Sequence, residues 1–460
     1  MTGTWCVKAW KIGIVLLILF IAASGCLRRL EGQQTVPTTT SAMTSAPTSA
    51  GTVVPDYAPT TPGATASAGS LSRVKVAVVY ERVTDGAVIG RNMADVIRIF
   101  QETRTDLIFR GFFRWEAVPA SPGASMTGYP ASYVSGKADI GYTYSQLGDA
   151  IRQIKAAEPG VIFIGAVAAQ RLNRLEFNDE TGEAISQDGT WAMALDPSSS
   201  LPKYTKEDGQ CTAAKFLGWV GSGVQCPSGY DVTAAPAYFP DITNTGYQEL
   251  LESWAEKQID LGADGIWIDM LYAQASFIAQ QTGNPAHPAV KTAFEASSKV
   301  VDDIHAYGEM KYHKHVYVGT WWTFAQLPYS PPDMDFVTVA TPAGEVSGGL
   351  NSGNWDSIRS QITGAIGNKP VLVFIDWSGS ASAPMGVFSQ SLTPAQQDAF
   401  LTSADSFFPG KGMIFAFPVH GGTFPMNSAR LSYGRYNVYD SLAPEFDTFG
   451  TIQDLAQKKG

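Results

Sequence analysis

A carboxylate closes an apolar run at Asp269. The local sequence is Ala263-Asp264-Gly265-Ile266-Trp267-Ile268-Asp269-Met270. Burying an acid between Trp and Met is costly, so the position asks for a reason. Asp376 repeats the pattern, following Phe374-Ile375 at the end of a second apolar run. Two carboxyl groups facing one another across a cleft are what hydrolysis of a glycosidic bond requires, one as nucleophile or base and the other as proton donor. Glu345 competes with Asp376 for the second role. It lies in Pro342-Ala343-Gly344-Glu345-Val346-Ser347-Gly348-Gly349, a Gly-rich loop of the kind that closes over substrate. Retention of configuration needs a separation of about 5 Å and inversion one of about 6.5–9.5 Å; short Asp side chains place an Asp269–Asp376 pair in the wider class.

Other chemically able residues stand at the ends of apolar runs: Tyr80 and Glu81, Arg114 and Trp115, Gln170 and Arg171, Trp321 and Trp322, Trp377, and His420. Trp faces are flat apolar platforms on which sugar rings stack, an extension of aromatic packing. Glu81, Arg114, Trp115, Trp321, Trp322, Trp377 and His420 are therefore the candidate substrate-binding residues. Each acid also has a structural alternative, as a helix cap or a strand-end ion pair. His313 and His315 fall near the start of a strand, where a structural role is expected, and His287 and His305 belong to helical or loop surface. Trp254 and Trp355 lie on helix faces and belong to the core. The chain has no His-Glu-x-x-His, no calcium-loop spacing, no Gly-x-Ser-x-Gly elbow and no phosphate loop, so neither metal nor cofactor is implied.

Elements of two periods must position these groups. Eight apolar runs read as strands: Val74–Glu81, Leu107–Trp115, Val161–Ala168, Gly265–Met270, His315–Trp321, Asp335–Thr341, Pro370–Trp377 and Gly412–Pro418. They lack strict alternation, as strands buried on both faces do. Between them fall helical faces: Leu147, Ile151 and Ile154; Tyr247, Leu250, Leu251 and Trp254; Trp355, Ile358 and Ile362. Thr393-Pro394-Ala395-Gln396 predicts a capping box with Pro at the first helical position. Eight strand–helix units predict an α/β fold, a (β/α)8 TIM barrel whose reactive groups sit at the carboxyl ends of the strands. An open doubly wound sheet is the alternative, but no Gly-x-Gly-x-x-Gly turn follows the first strand. A long insertion, residues 171–241 between strands three and four, is expected to shape one wall of the cleft.

The 460 residues are 45% hydrophobic and 16% charged, with a net charge of -10, which suits one large globular domain with appendages. No cluster of Lys and Arg offers a footing for nucleic acid. Residues 1–26 read as a signal peptide: Lys8 and Lys11, an apolar run from Ile12 to Ala23, then Ser24-Gly25-Cys26. The last residues resemble a lipobox, which would make Cys26 the lipidated first residue; a plain transmembrane anchor is the alternative. Residues 27–70, rich in Ser, Thr, Pro and Ala, are expected to form a disordered stalk, and residues 71–460 the barrel. The bulk of the protein is thus expected outside the cell, tethered to the membrane. There, Cys211 and Cys226 are expected to pair as a disulfide.

The stretch Phe239-Pro240-Asp241-Ile242-Thr243-Asn244 through Gly265-Ile266-Trp267-Ile268-Asp269-Met270 resembles glycoside hydrolase family thirty-one and its α-glycosidase relatives. The resemblance implies that Asp269 is the nucleophile. It places the acid/base after the sixth strand, which favours Glu345, although no local motif matches there. Leu271 and Tyr272 stand where the family usually has Asn-Glu, and the family's β-sandwich has no counterpart ahead of this barrel. The segment is equally similar to barrel glycosidases of the polygalactosaminidase type. The expectation is an extracellular glycoside hydrolase acting on an oligo- or polysaccharide. The rival expectations are a non-catalytic carbohydrate-binding lipoprotein on the same barrel and a surface scaffold protein.

Overall fold

Short runs rich in Val, Ile, Ala and Phe pair side by side in parallel until the last meets the first. The computed structural model describes residues 70–459 apart from residues 222, 227–229, 233, 377–381 and 424–437. Residues 1–69, where a signal peptide ending at Cys26 and a stalk are expected, and Trp377 lie outside the described residues. The strands are β1 (Ala77–Tyr80), β2 (Leu107–Phe109), β3 (Ile162–Ala168), β4 (Gly265–Asp269), β5 (Tyr317–Trp321), β6 (Phe336–Ala340), β7 (Val371–Phe374) and β8 (Ile414–Thr423). Each pairs in parallel with the next, and β8 returns to β1 with Ala77 opposite Ala416 and Val78 opposite Phe417. This closed cycle is a (β/α)8 barrel. A ninth strand, β9 (Val438–Asp440), adds antiparallel to the end of β8.

Amphipathic helices cover the outside: α1 (Met93–Glu102), α2 (Tyr144–Ala157), α3 (Thr245–Asp260), α4 (Pro288–Tyr312), α5 (Ser352–Ile366), α6 (Pro394–Gly410) and α7 (Phe449–Gln457). Their starts follow capping chemistry. Asn92 and Asp95 form a capping box on α1, as Thr393 and Gln396 do on α6, with Pro394 at the first turn. One connection breaks the expected alternation: β5 reaches β6 through a 3-10 turn, Trp322–Gln326, without an α-helix. The run Pro328-Tyr329-Ser330-Pro331-Pro332 explains it, since Pro lacks the N–H that a helix needs and restricts the residue before it.

The second strand also departs from expectation. It was expected to run unbroken from Leu107 to Trp115, but it stops at Phe109. Arg110 turns out of the strand in the left-handed region at φ 59°, and Phe113–Arg114 then rejoins β3 as a separate short pairing. At Gly111 the backbone crosses the Phe163 ring so closely that a Cβ would lie 2.4 Å from it, so only glycine fits the crossing. This break decides which arginine ends at the mouth of the barrel.

The lumen is filled by aromatic rings. Trp267 packs against Phe109 at 5.3 Å between ring centres, Trp321 at 5.5 Å and Phe374 at 6.3 Å. Side chains two apart on a strand share a face. Asp269 therefore stands above Trp267, and Asp376 above Phe374, on top of an aromatic floor.

The insertion between β3 and β4 folds as two small antiparallel pairs, Leu172–Asn173 with Ala237–Tyr238 and Glu176–Phe177 with Ala184–Ile185, plus helices Gln187–Met193 and Lys206–Phe216. Cys211 and Cys226 are joined in a disulfide, their Cα atoms 5.9 Å apart. No described helix is long and apolar enough to cross a membrane.

Candidate active site

The ends of β1, β2, β4 and β7 bring three carboxylates round one guanidinium. Asp269 is the last residue of β4 and is 8% exposed. Its Oδ1 accepts from Trp321 Nε1 at 2.6 Å, and its Oδ2 from Gln170 Nε2 at 2.6 Å. Indole N–H only donates, so this neighbour favours the ionised acid. Burial pushes the Asp269 carboxyl above the usual range, while Arg110, Trp321 and Gln170 pull it back down and Glu81 adds to the rise. The other amide atom, Gln170 Oε1, is buried without a hydrogen-bond partner. A flip of this amide would present an acceptor to a protonated Asp269, so the pocket can satisfy either charge state.

Arg110 sits between the other two acids. Its Nη1 donates to Asp376 Oδ1 at 3.4 Å and its Nη2 to Glu81 Oε1 at 3.5 Å. The guanidinium lies over the rings of Phe113 and Trp267, 4.6 and 5.2 Å from their centres. Glu81 also accepts from the Gly422 backbone N–H at 3.2 Å. Among the two acids on Arg110, Glu81 is the more open, at 20% side-chain exposure against 6% for Asp376. Strand-end strain accompanies the cluster. Met270 (φ 56°), Arg110 (φ 59°) and Arg82 (φ 61°) all adopt the left-handed region immediately beside a site residue or within the site. Non-Gly residues there cost of order 1–3 kcal/mol each, and such strain concentrates where function requires it.

The remaining expected site residues are placed as follows. Trp321 touches Asp269 directly, as above. Trp322 is buried and opens the 3-10 turn after β5. Trp115 is half-buried, with the Arg171 guanidinium 5.1 Å over its ring. Arg114, read from the sequence as a strand-end residue facing substrate, is 1% exposed and fully engaged elsewhere. It donates to both oxygens of Glu176, at 3.1 and 2.8 Å, and to Asp179 at 3.1 Å, with the Trp254 ring 3.7 Å beneath. It pins the insertion to the barrel; the strand break at Arg110 is what turns it away from the role expected. Glu345 accepts from Asn351 N at 3.1 Å, Asn354 Nδ2 at 2.9 Å and Trp355 Nε1 at 2.6 Å, so its oxygens tie down the start of α5.

His420 lies behind the barrel wall. It pairs with Tyr80, which meets Phe100 of α1 edge to face, so both side chains point into the helix layer. Its Nδ1 meets Asp440 at 2.7 Å and its Nε2 meets Asp85 at 3.0 Å, which leaves neither ring nitrogen for a sugar hydroxyl. Burial would lower its pKa, but Asp85 and Asp440 more than offset this and push it up to about 9. Arg91 completes the network, donating to Asp440 and to Tyr80, each at 2.9 Å. Arg110 is the site residue that sequence reading missed. An Arg directly after an apolar run was the available signal, hidden because the run was read six residues too long.

No protein-family model matches the chain, and none of the curated proteins does. Several solved structures are similar to it. The glycoside hydrolase domain of PelA from Pseudomonas aeruginosa is 11% identical, over 75% of this chain and 94% of that one, with a TM-score of 0.36. Cyclic α-maltosyl-(1→6)-maltose hydrolase from Arthrobacter globiformis is 12% identical, over 85% and 83%, with a TM-score of 0.42. The GH31 dextranase from Flavobacterium johnsoniae is 9% identical, over 85% and 40%, with a TM-score of 0.37. Each is a likeness of architecture, and no residue role is carried over from it.

Proposed function

We propose that this protein is a glycoside hydrolase with Asp269 as its central carboxylate. The observation that carries the reading is the meeting of Asp269, Asp376 and Glu81 around Arg110 at the carboxyl ends of four barrel strands, above an aromatic floor. A glycosidic bond needs a carboxylate held in place on one side of the sugar ring and a proton donor on the other. Trp321 and Gln170 hold Asp269 in one orientation, which suits a nucleophile or base. Asp376 is the second carboxylate, and Arg110 balances its charge against that of Glu81. Glu81 has the longer side chain and the greater exposure, which favours a second reading in which it donates the proton. Burial that holds the Asp269 carboxyl above its usual range also makes the anion more basic, which suits a nucleophile or base.

The sequence of residues 1–69 supports export and tethering of the enzyme at the outer face of a membrane, by a lipid on Cys26 or by an anchor, with a carbohydrate chain as substrate.

Hydrolysis of a panel of aryl glycosides and polysaccharides tests the proposal. Asp269→Asn is expected to lose turnover by at least about 10³-fold. It should not lose stability, because Asn can donate to a flipped Gln170 and accept from Trp321 while no longer burying a charge. Asp376→Asn and Glu81→Gln separate the two proton donors. The variant that loses activity on poor leaving groups but keeps it on activated aryl glycosides marks the acid. Full activity of Asp269→Asn would move the active site elsewhere, and sugar binding without turnover in the wild-type chain would make this a binding protein.

A further inference from the structure

Two histidines and an aspartate meet on the face of the barrel opposite the carboxylates. His305 comes from α4, His315 stands just before β5, and Asp335 just before β6. Residues that precede the strands lie on the face associated with stability, away from the chemistry. Asp335 Oδ2 is 2.8 Å from His305 Nε2, and its Oδ1 is 2.7 Å from His315 Nε2. The imidazoles stack with centres 4.9 Å apart and planes inclined by 28°. Asp335 Oδ2 also accepts from the Val318 backbone N–H at 2.8 Å, which fixes the carboxylate against β5. The possible ligand atoms of the three residues all lie within 4.8 Å of one another.

We propose that His305, His315 and Asp335 form a binding site for a divalent transition ion of the zinc type. Two imidazole nitrogens and one carboxylate oxygen make a donor set that suits zinc, nickel or copper, whereas calcium and magnesium require mostly oxygen. A tetrahedral zinc site holds its ligand atoms about 3.3 Å apart, so the 2.8 and 2.7 Å Asp–His contacts must open a little while the most widely spaced atoms, within 4.8 Å, draw in. The His315 side chain is 46% exposed and has the freedom to do so, while Asp335, at 11%, holds its place. On binding, each imidazole carries its proton on Nδ1 and turns the Nε2 lone pair to the ion, and water completes the fourth position. The location gives the ion a purpose. It would staple α4 to the starts of β5 and β6, at the crossover that has only a 3-10 turn in place of a helix.

Calorimetric titration of the full chain with zinc chloride, together with thermal melts, tests this independently of any hydrolytic activity. One zinc is expected to bind at this cluster, and a hundredfold excess over Kd should raise Tm by about 3 °C. Cobalt in its place should give the visible absorption of a four-coordinate ion. His315→Gln, at a side chain 46% exposed, and His305→Gln should each weaken that binding about tenfold or more and abolish the melting shift. Absence of zinc binding, or binding and melting shifts equal in the wild type and both variants, would overturn the proposal and leave a hydrogen-bonded His–Asp–His contact.

Discussion

Asp269 is held by one group that can only donate and one that can turn over. Trp321 Nε1 stabilises the ionised acid, as Gln170 Nε2 does in its present orientation, while a flip of the Gln170 amide would let it serve the protonated form. Trp321→Phe keeps the ring among Trp267 and Phe374 but deletes the N–H. Loss of a hydrogen bond to a charged group costs about 1.5–3 kcal/mol, so kcat/KM should fall roughly 10- to 100-fold. The deleted donor favoured the anion, so the Asp269 pKa rises further, and the acid limb of the pH–kcat/KM profile should move to higher pH. His420 titrates in the opposite sense. Its folded pKa, about 9, is raised above the ordinary value of 6.5, so its contribution to stability is complete below about pH 6.5 and is lost as pH rises through 9. Asp440, held below the usual carboxylate range, adds a contribution that is lost only in acid; burial opposes its ionisation, but His420 and Arg91 outweigh burial. Melts from pH 6 to pH 10 should show a decline in wild type of at most about 3 kcal/mol, and His420→Gln should flatten it.

At the scale of elements, the loop after β6 carries two rival demands on Glu345. As a proton donor it would have to reach the mouth. As it stands, it satisfies the Asn351 backbone N–H and the side-chain donors of Asn354 and Trp355 at the start of α5. The buried Trp355 ring packs on Phe408 of α6, so the same carboxylate registers one helix against the next. Glu345→Ala should therefore lower stability by about 1–3 kcal/mol in denaturant while kcat stays within a few-fold of wild type. A loss of kcat beyond 10²-fold without a change in stability would return Glu345 to the catalytic pair.

At the scale of the whole molecule, the described residues form a closed barrel with a large insertion, held to it by an ion-pair cluster and braced by a disulfide of its own. Arg114 bridges it to the barrel through Glu176 and Asp179, and the Cys211–Cys226 bond closes its outer part. Cross-linking residues 15 apart removes about 3 kcal/mol of chain entropy from the unfolded state. Replacing both cysteines by Ser should lower the denaturant midpoint correspondingly. Because the barrel's strands and aromatic floor are untouched, the folded variant should keep its turnover on small aryl glycosides.

Much of this architecture is written locally. Apolar runs of strand length, helical faces between them and the acid after Ile268 are features of neighbouring residues, and neighbouring residues suffice to set period and burial. They predicted the eight strands and placed Asp269 at the end of its strand, as the barrel has it, while Asp376 follows the end of β7 by two residues. What the folded molecule alone decided is which side chains meet. Arg110 faces the acids because Gly111 crosses the Phe163 ring and breaks the strand; Arg114, four residues on, is thereby spent on the insertion. His420 is enclosed by Asp440, 20 residues away, and by Asp85, 335 residues away. His305, His315 and Asp335 share no local motif either. Closing the barrel brings the last strand against the first and turns each strand by its register with both neighbours, so such partners are fixed by long-range pairing, which no local pattern carries.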